Sequence, residues 1–242
     1  MAGYKMAKRS FSMKRLPMQA SQSSSIPTTI KNPDVVAYRR TELIEVATTM
    51  FLERGFHNTS IRDIVRACSF NVASLYMYVS SKEDILYLVA QDLMNNIAHK
   101  LLETPLDKSS PERSLRMGFA GYCQIAHRFR RHIRLLYREV GFLPEGPRSK
   151  VLATVADVTS YFEKIIEQGI DAGVFRKYPA RIAALDAMMM AHMIALHTRE
   201  VLSVADLDKY ISIQVEALLS GLLASPQRKR EGLQLRNGRK VR

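Results

Sequence analysis

The chain has 242 residues, 47% of them hydrophobic, and a net charge of +13. That length suits one large domain or two small ones with a real core. No apolar run approaches the roughly 20 residues of a membrane-spanning helix, and the basic N-terminus lacks the apolar stretch of a secretory signal. Gly and Pro are few against abundant Leu, Ala, Ile and Met, which points to an all-α protein. Cys68 and Cys123 are the only cysteines, and both read as reduced core thiols. A cytoplasmic protein is expected.

The positive charge sits at the ends. Residues 1–33 hold six basic residues and no acid, for +6; residues 226–242 hold seven and Glu231, again +6. The remainder is nearly neutral, with 23 basic and 22 acidic side chains. Both tails are poor in large apolar groups and are expected to be disordered. They either aid solubility or attract phosphates loosely and in a salt-sensitive way.

The stretch "ASQSSSIPTTIKNP" reads as a linker, so order should begin near Asp34. Val36, Leu43, Ile44, Ala47, Met50 and Phe51 recur at helical spacing and predict a first helix over 35–54, stopped by Gly55. Ser60 and Asp63 form a capping-box pattern for a short second helix, 61–68. Asn71 caps a third, 72–78, and Ser81 a fourth, which runs to about 102. Later helices are predicted at 111–129, 131–140, 148–172, 179–201 and 206–224. The fourth of these is apolar around most of its circumference.

Two short helices joined by a tight turn make a helix-turn-helix candidate. Leu75 and Val79 would face the bundle. Asn71, Val72, Ala73, Ser74, Tyr76 and Tyr78 would supply the outer surface. Small residues at 73 and 74 permit close approach to a major groove, and a tyrosine hydroxyl reaches a phosphate without carrying charge. Lys82 would add a phosphate contact. The alternative is that Tyr76 and Tyr78 cap a small core.

Residues 39–88 resemble the N-terminal domain of the TetR family of bacterial transcriptional regulators. The matching features are "A..MF.ERGF..TSIRDI", "LY.Y" and "SKEDIL". The resemblance implies a DNA-binding domain at 34–83 and a helical effector-binding and dimerisation domain at 84–225. It also implies a two-fold dimer on a double-stranded, pseudo-palindromic operator, with DNA contacts from Thr59, Ser60, Ser74, Tyr76, Tyr78 and Lys82. The homodimer interface would come from 179–201 and 206–224. Val72, Ala73 and Met77 stand where the family often has lysine, glycine and histidine.

Phe119, Tyr122, Phe162, Met189, His192 and Tyr137 are candidate effector-lining residues, with ordinary core as the plainer reading. Arg131, Arg134 and Arg138 share a helical stripe and either form a solvated face or bind an anionic effector such as an acyl-CoA. The segment from here to "IIEQGIDAGVF" resembles family members that sense acyl-CoA thioesters. No phosphate-binding glycine motif, paired acid and base, or activated nucleophile is present, and the histidine pairs lie five apart, on different faces. The sequence therefore predicts no enzyme, no cofactor and no metal. A non-specific DNA binder driven by its tails, and a helical small-molecule binder with a vestigial helix-turn-helix, remain the competing classes.

Overall fold

The computed structural model describes residue 26 and residues 30–104, 107 and 109–224. Apart from Ile26 and residues 30–33, the two basic tails lie outside the described residues.

Each of the first four helices begins at a side-chain cap. Asn32 accepts hydrogen bonds from the amides of Asp34 and Val35, and Pro33 occupies the first turn of α1 (Pro33–Arg54). Gly55, at φ +84°, ends it. The Ser60–Asp63 capping box starts α2 (Ile61–Ala67). Asn71 caps α3 (Val72–Leu75), and Ser81 caps α4 (Lys82–Leu102).

The remaining helices are α5 (Pro111–Arg128), α6 (Arg130–Glu139), α7 (Glu145–Asp171), α8 (Ala180–Leu196), α9 (Thr198–Val204) and α10 (Leu207–Leu222). A 3-10 turn, Val140–Phe142, follows α6. Among the described residues there is no strand, only an isolated antiparallel bridge between Phe175 and Leu223. None of the helices is long and apolar enough to cross a membrane.

Three expected helices differ in extent. The third is a single turn: Leu75 is its last helical residue, and the amides of Met77 and Tyr78 bond carbonyls only three residues back. Helix α7 starts three residues early, because Pro147 falls in a first turn whose amides need no helical partner. The span 179–201 is two helices, broken at His197 (φ −120°, ψ 41°).

The core is one continuous apolar cluster through both halves of the chain. Helix α4 joins them, packing on α1 at one end and on α5 and α7 at the other. Helix α7 packs on α4, α5 and α8. Its C-terminal end is closed by Gly173, at φ +70°, after which the Phe175 ring lies directly on Gly169. The amides of Val174 and Phe175 both bond the Gly169 carbonyl at 2.9 Å.

Candidate DNA-reading surface and effector site

Helices α1 to α3 form a helix-turn-helix whose turn is held from outside. The Glu42 carboxylate accepts from the Ser69 amide at 2.6 Å and from the Ser69 hydroxyl at 2.9 Å, and pairs with Arg39 at 3.2 Å. Burial alone would raise this carboxyl, but the Ser69 bonds and Arg39 together hold it below its ordinary value. The α2–α3 turn is thereby pinned to α1. Arg39 also lies over the Tyr38 and Phe70 rings. Arg39, Cys68, Ser69, Phe70, Asn71 and Ser74 line an open depression of about 580 Å³ beside α3.

Asn71, Val72, Ala73 and Tyr76 are exposed, and Ser74 is half-buried. Met77, also exposed, extends the same surface. The Asn71 side-chain oxygen is occupied by the Ser74 amide at 2.9 Å. Its amide nitrogen has no part in that bond.

Four expected DNA contacts are otherwise engaged. Tyr78 is 6% exposed, against 53% for Tyr76. Its ring packs toward Phe70, and its carbonyl accepts from Arg40 at 3.1 Å. Tyr78 follows Leu75 by three residues and so shares its inward face. Thr59 is 1% exposed and donates to the Gly55 carbonyl at 2.8 Å. The Ser60 hydroxyl is taken up by the capping box with Asp63.

The Lys82 ammonium donates to the carbonyls of Phe56 (2.9 Å) and Thr59 (3.1 Å) and sits 4.3 Å from the Phe56 ring centre. Lys82 thus ties α4 to the α1–α2 loop. Lys82→Met is expected to lower the stability of the DNA-free protein by about 2 kcal/mol, read as a fall in melting temperature. A lysine that served only a phosphate would leave that temperature unchanged.

The second constellation lies between α5, α6, α7 and α8. The Tyr122 hydroxyl is 2.7 Å from His192 Nε2, and the Tyr137 hydroxyl is 2.9 Å from His192 Nδ1. Tyr137 also donates to Met189 Sδ at 3.4 Å. The Tyr122 ring meets Phe162 edge-on at 5.5 Å. Burial lowers the His192 pKa to about 4, so the ring is neutral near pH 7, and burial raises both tyrosines. Five of the expected effector residues are therefore brought together, and Phe119 stands one helical turn before Tyr122.

Phe119 and Phe162 are 0% exposed, so the inner part of the site is buried. Met189 and Tyr137 reach the surface, 45% and 47% exposed.

The arginine stripe of α6 does not line this interior. Arg131 donates to the Leu52 carbonyl at 3.1 Å. Arg138 pairs with Glu139, a carboxylate 2% exposed that also lies 3.5 Å from His57. Arg138, Glu139, His57 and the Phe142 ring border a cleft of about 520 Å³ against the α1–α2 loop. Arg134, between Arg131 and Arg138 on the stripe, is exposed. Periodicity found the stripe, but not that Arg131 and Arg138 face the reading domain. The His57–Glu139 pairing joins residues 82 apart in sequence and carried no local signal. Cys68 and Cys123 are free thiols, raised by burial to about 11 and about 12. No metal-binding cluster occurs among the described residues.

Comparison with known proteins agrees with this architecture. Residues 43–87 match the family described as bacterial regulatory proteins, tetR family. Residues 108–196 match the tetracyclin repressor-like C-terminal domain. Together the matches take in more than half of the chain. The HTH-type transcriptional regulator HbdR of Aromatoleum sp. (strain CIB) is 24% identical over 179 residues, 74% of this chain and 78% of the relative. The repressor KstR2 of Mycolicibacterium smegmatis is 27% identical over 146 residues, 60% of this chain and 71% of the relative.

Among solved structures, a bacterial regulatory protein in the tetR family from Rhodococcus RHA1 aligns with a TM-score of 0.67 at 18% identity, covering 77% of this chain and 98% of that one. AibR in complex with isovaleryl coenzyme A and operator DNA aligns with a TM-score of 0.61 at 18% identity, covering 75% and 98%. These structural likenesses speak for the fold. The chain belongs to the TetR family and is a helix-turn-helix, DNA-binding transcriptional regulator.

Proposed function

We propose that the protein acts as a two-fold dimer that represses transcription from a pseudo-palindromic operator and is released by a small apolar effector. The observation that carries this reading is the division of labour in the structure. An exposed one-turn reading helix, presenting Asn71, Val72, Ala73, Ser74 and Tyr76, is held rigidly on one domain. An aromatic site with a buried hydrogen-bonded histidine occupies the other. Recognition, not catalysis, is the chemistry these groups support, and it would be exercised on genomic DNA in the cytoplasm.

Val72 suits a thymine methyl, Ser74 a base edge, and Tyr76 a phosphate. The domains are assigned as 34–83 for DNA reading and 84–225 for effector binding and dimerisation. Helix α8 supports the dimer. Its inner face is alanine-rich and buried, while Ile182, Leu185, Met189 and Met193 form an outer apolar stripe, each 41–49% exposed. A helix apolar on all sides calls for cover on all sides, and α10 lies alongside to complete a four-helix interface with a second copy. The effector reading draws on AibR, whose structure contains isovaleryl coenzyme A. An acyl thioester would place its chain among Phe119, Tyr122 and Phe162, and its charged end toward exposed Arg134.

Effector binding need only favour a dimer geometry whose reading helices no longer match major grooves roughly 34–36 Å apart. Selection of genomic fragments by the full chain at near-physiological salt is expected to enrich one pseudo-palindrome. Leu185→Arg should convert the dimer to monomer in light scattering and weaken operator binding by about 100-fold. Binding without sequence enrichment, lost steeply with salt, would overturn the reading in favour of tail-driven attachment.

A further inference from the structure

Hydrogen-bond accounting fixes the proton positions in the Tyr122–His192–Tyr137 chain. The imidazole is neutral, so one ring nitrogen donates and the other accepts. If Nε2 carried the proton, Tyr122 would accept from it and its own hydroxyl proton would be left without a partner at 2% exposure. The satisfied arrangement runs the other way. Tyr122 donates to Nε2, Nδ1–H donates to the Tyr137 oxygen, and the Tyr137 proton is directed outward to the Met189 sulfur.

A thioether is a weak acceptor, and this one is half-exposed on a flexible side chain. The chain therefore ends in a polarised hydroxyl donor, aimed by two buried groups and spent on a poor partner. A carbonyl oxygen is a much stronger acceptor. One donor satisfies a carbonyl, whereas a carboxylate drawn into the same place keeps an uncompensated charge. Of the nearby arginines, Arg131 and Arg138 are committed to the Leu52 carbonyl and to Glu139, and Arg134 is exposed at the surface, where solvent screens its charge.

Resting on the effector site proposed above, we infer that Tyr137 is the effector's anchor and that it selects a neutral carbonyl on an apolar chain, whether ketone, ester or thioester, which takes the place of the Met189 sulfur. His192 and Tyr122 are positioning residues that set the direction of the Tyr137 proton. The apolar chain enters between α6 and α8 and opens the packing at Phe162. A thioester of a larger carrier fits the same rule, because Arg134, three residues before Tyr137 and hence on the neighbouring part of the same face, is exposed to meet a charged tail.

The test uses the full chain and three matched series of four to twelve carbons: methyl ketones, S-ethyl thioesters and free carboxylates. Calorimetric titration and operator release are read on the same samples at neutral pH. The ketone or thioester of the best length is expected to bind at least about tenfold more tightly than the carboxylate. Tyr137→Phe, which keeps the ring, should remove about tenfold of that affinity. Tyr122→Phe should remove part of it, because Nε2 loses its donor and the imidazole proton is no longer held on Nδ1.

Carboxylate binding as tight as thioester binding would overturn the carbonyl anchor while leaving the effector site in place. Undiminished binding by Tyr137→Phe would put the ligand elsewhere and overturn the inference. Absence of binding across all three series would overturn it too, and operator binding in those samples would show whether the regulator reading stands by itself.

Discussion

Gly169→Ala is expected to cost about 2 kcal/mol, or roughly 4–8 °C in melting temperature for a chain of this size. A methyl group at residue 169 would fall 2.0 Å from Phe175 Cδ2 and 2.3 Å from Cε2. Alanine is the better helix former by about 1 kcal/mol, so the figure is what remains after that gain. The ring cannot retreat cheaply. The Phe175 amide is bonded to Gly169, the Arg176 amide to the Leu222 carbonyl at 2.8 Å, and the Ala224 amide to the Val174 carbonyl at 3.1 Å. Phe175 is moreover 2% exposed, and Phe175→Ala alone should cost about 3–5 kcal/mol through the cavity it leaves. The Gly169→Ala/Phe175→Leu double variant should be destabilised by less than the sum of the two single changes. Additive losses, or an unchanged melting temperature in Gly169→Ala, would show that ring and glycine do not seat on one another.

The two tyrosines of the reading segment should separate cleanly. Tyr78→Ala is expected to lower stability by about 3 kcal/mol, because a 6%-exposed aromatic ring packed toward Phe70 is lost. Tyr76→Ala should leave the melting temperature within about 0.5 kcal/mol of the parent and weaken operator binding by about 1–3 kcal/mol. Equal loss of stability in both variants would mean that Tyr76 also belongs to the core. Loss of operator affinity in a still-stable Tyr78→Ala would restore its place on the DNA surface.

Much of the reading domain was legible because its helices begin at chemically explicit caps. Ser60 with Asp63, Asn71 and Ser81 each announce an amide to be satisfied, and each does so in the structure; the Asn32 cap of α1 went unread. The sequence also held the answer to the tyrosine pair. Residues two apart on a helix lie about 200° from one another, so Tyr76 and Tyr78 cannot share an outer face. What was not legible depends on distant partners. Lys82 reads as a free cation until the carbonyls of Phe56 and Thr59 are placed above it. The break at His197 carries no proline or glycine; there the Thr198 hydroxyl bonds back to the Ile194 carbonyl at 2.7 Å. For the effector residues, the residue types suggested an apolar site with a histidine, while the order of the hydrogen bonds needed the positions of three helices.

Met189 takes part in two things at once. Its sulfur ends the hydrogen-bond chain from Tyr122, and its side chain lies in the outer stripe of α8 with Ile182, Leu185 and Met193. A group that displaces the sulfur therefore alters the surface on which a second copy would rest. Ligand affinity and subunit affinity then become linked functions. The factor by which the ligand changes the dimerisation constant must equal the factor by which dimerisation changes ligand affinity. In such a molecule the apparent strength of the effector is set partly by how much of the protein the cell makes.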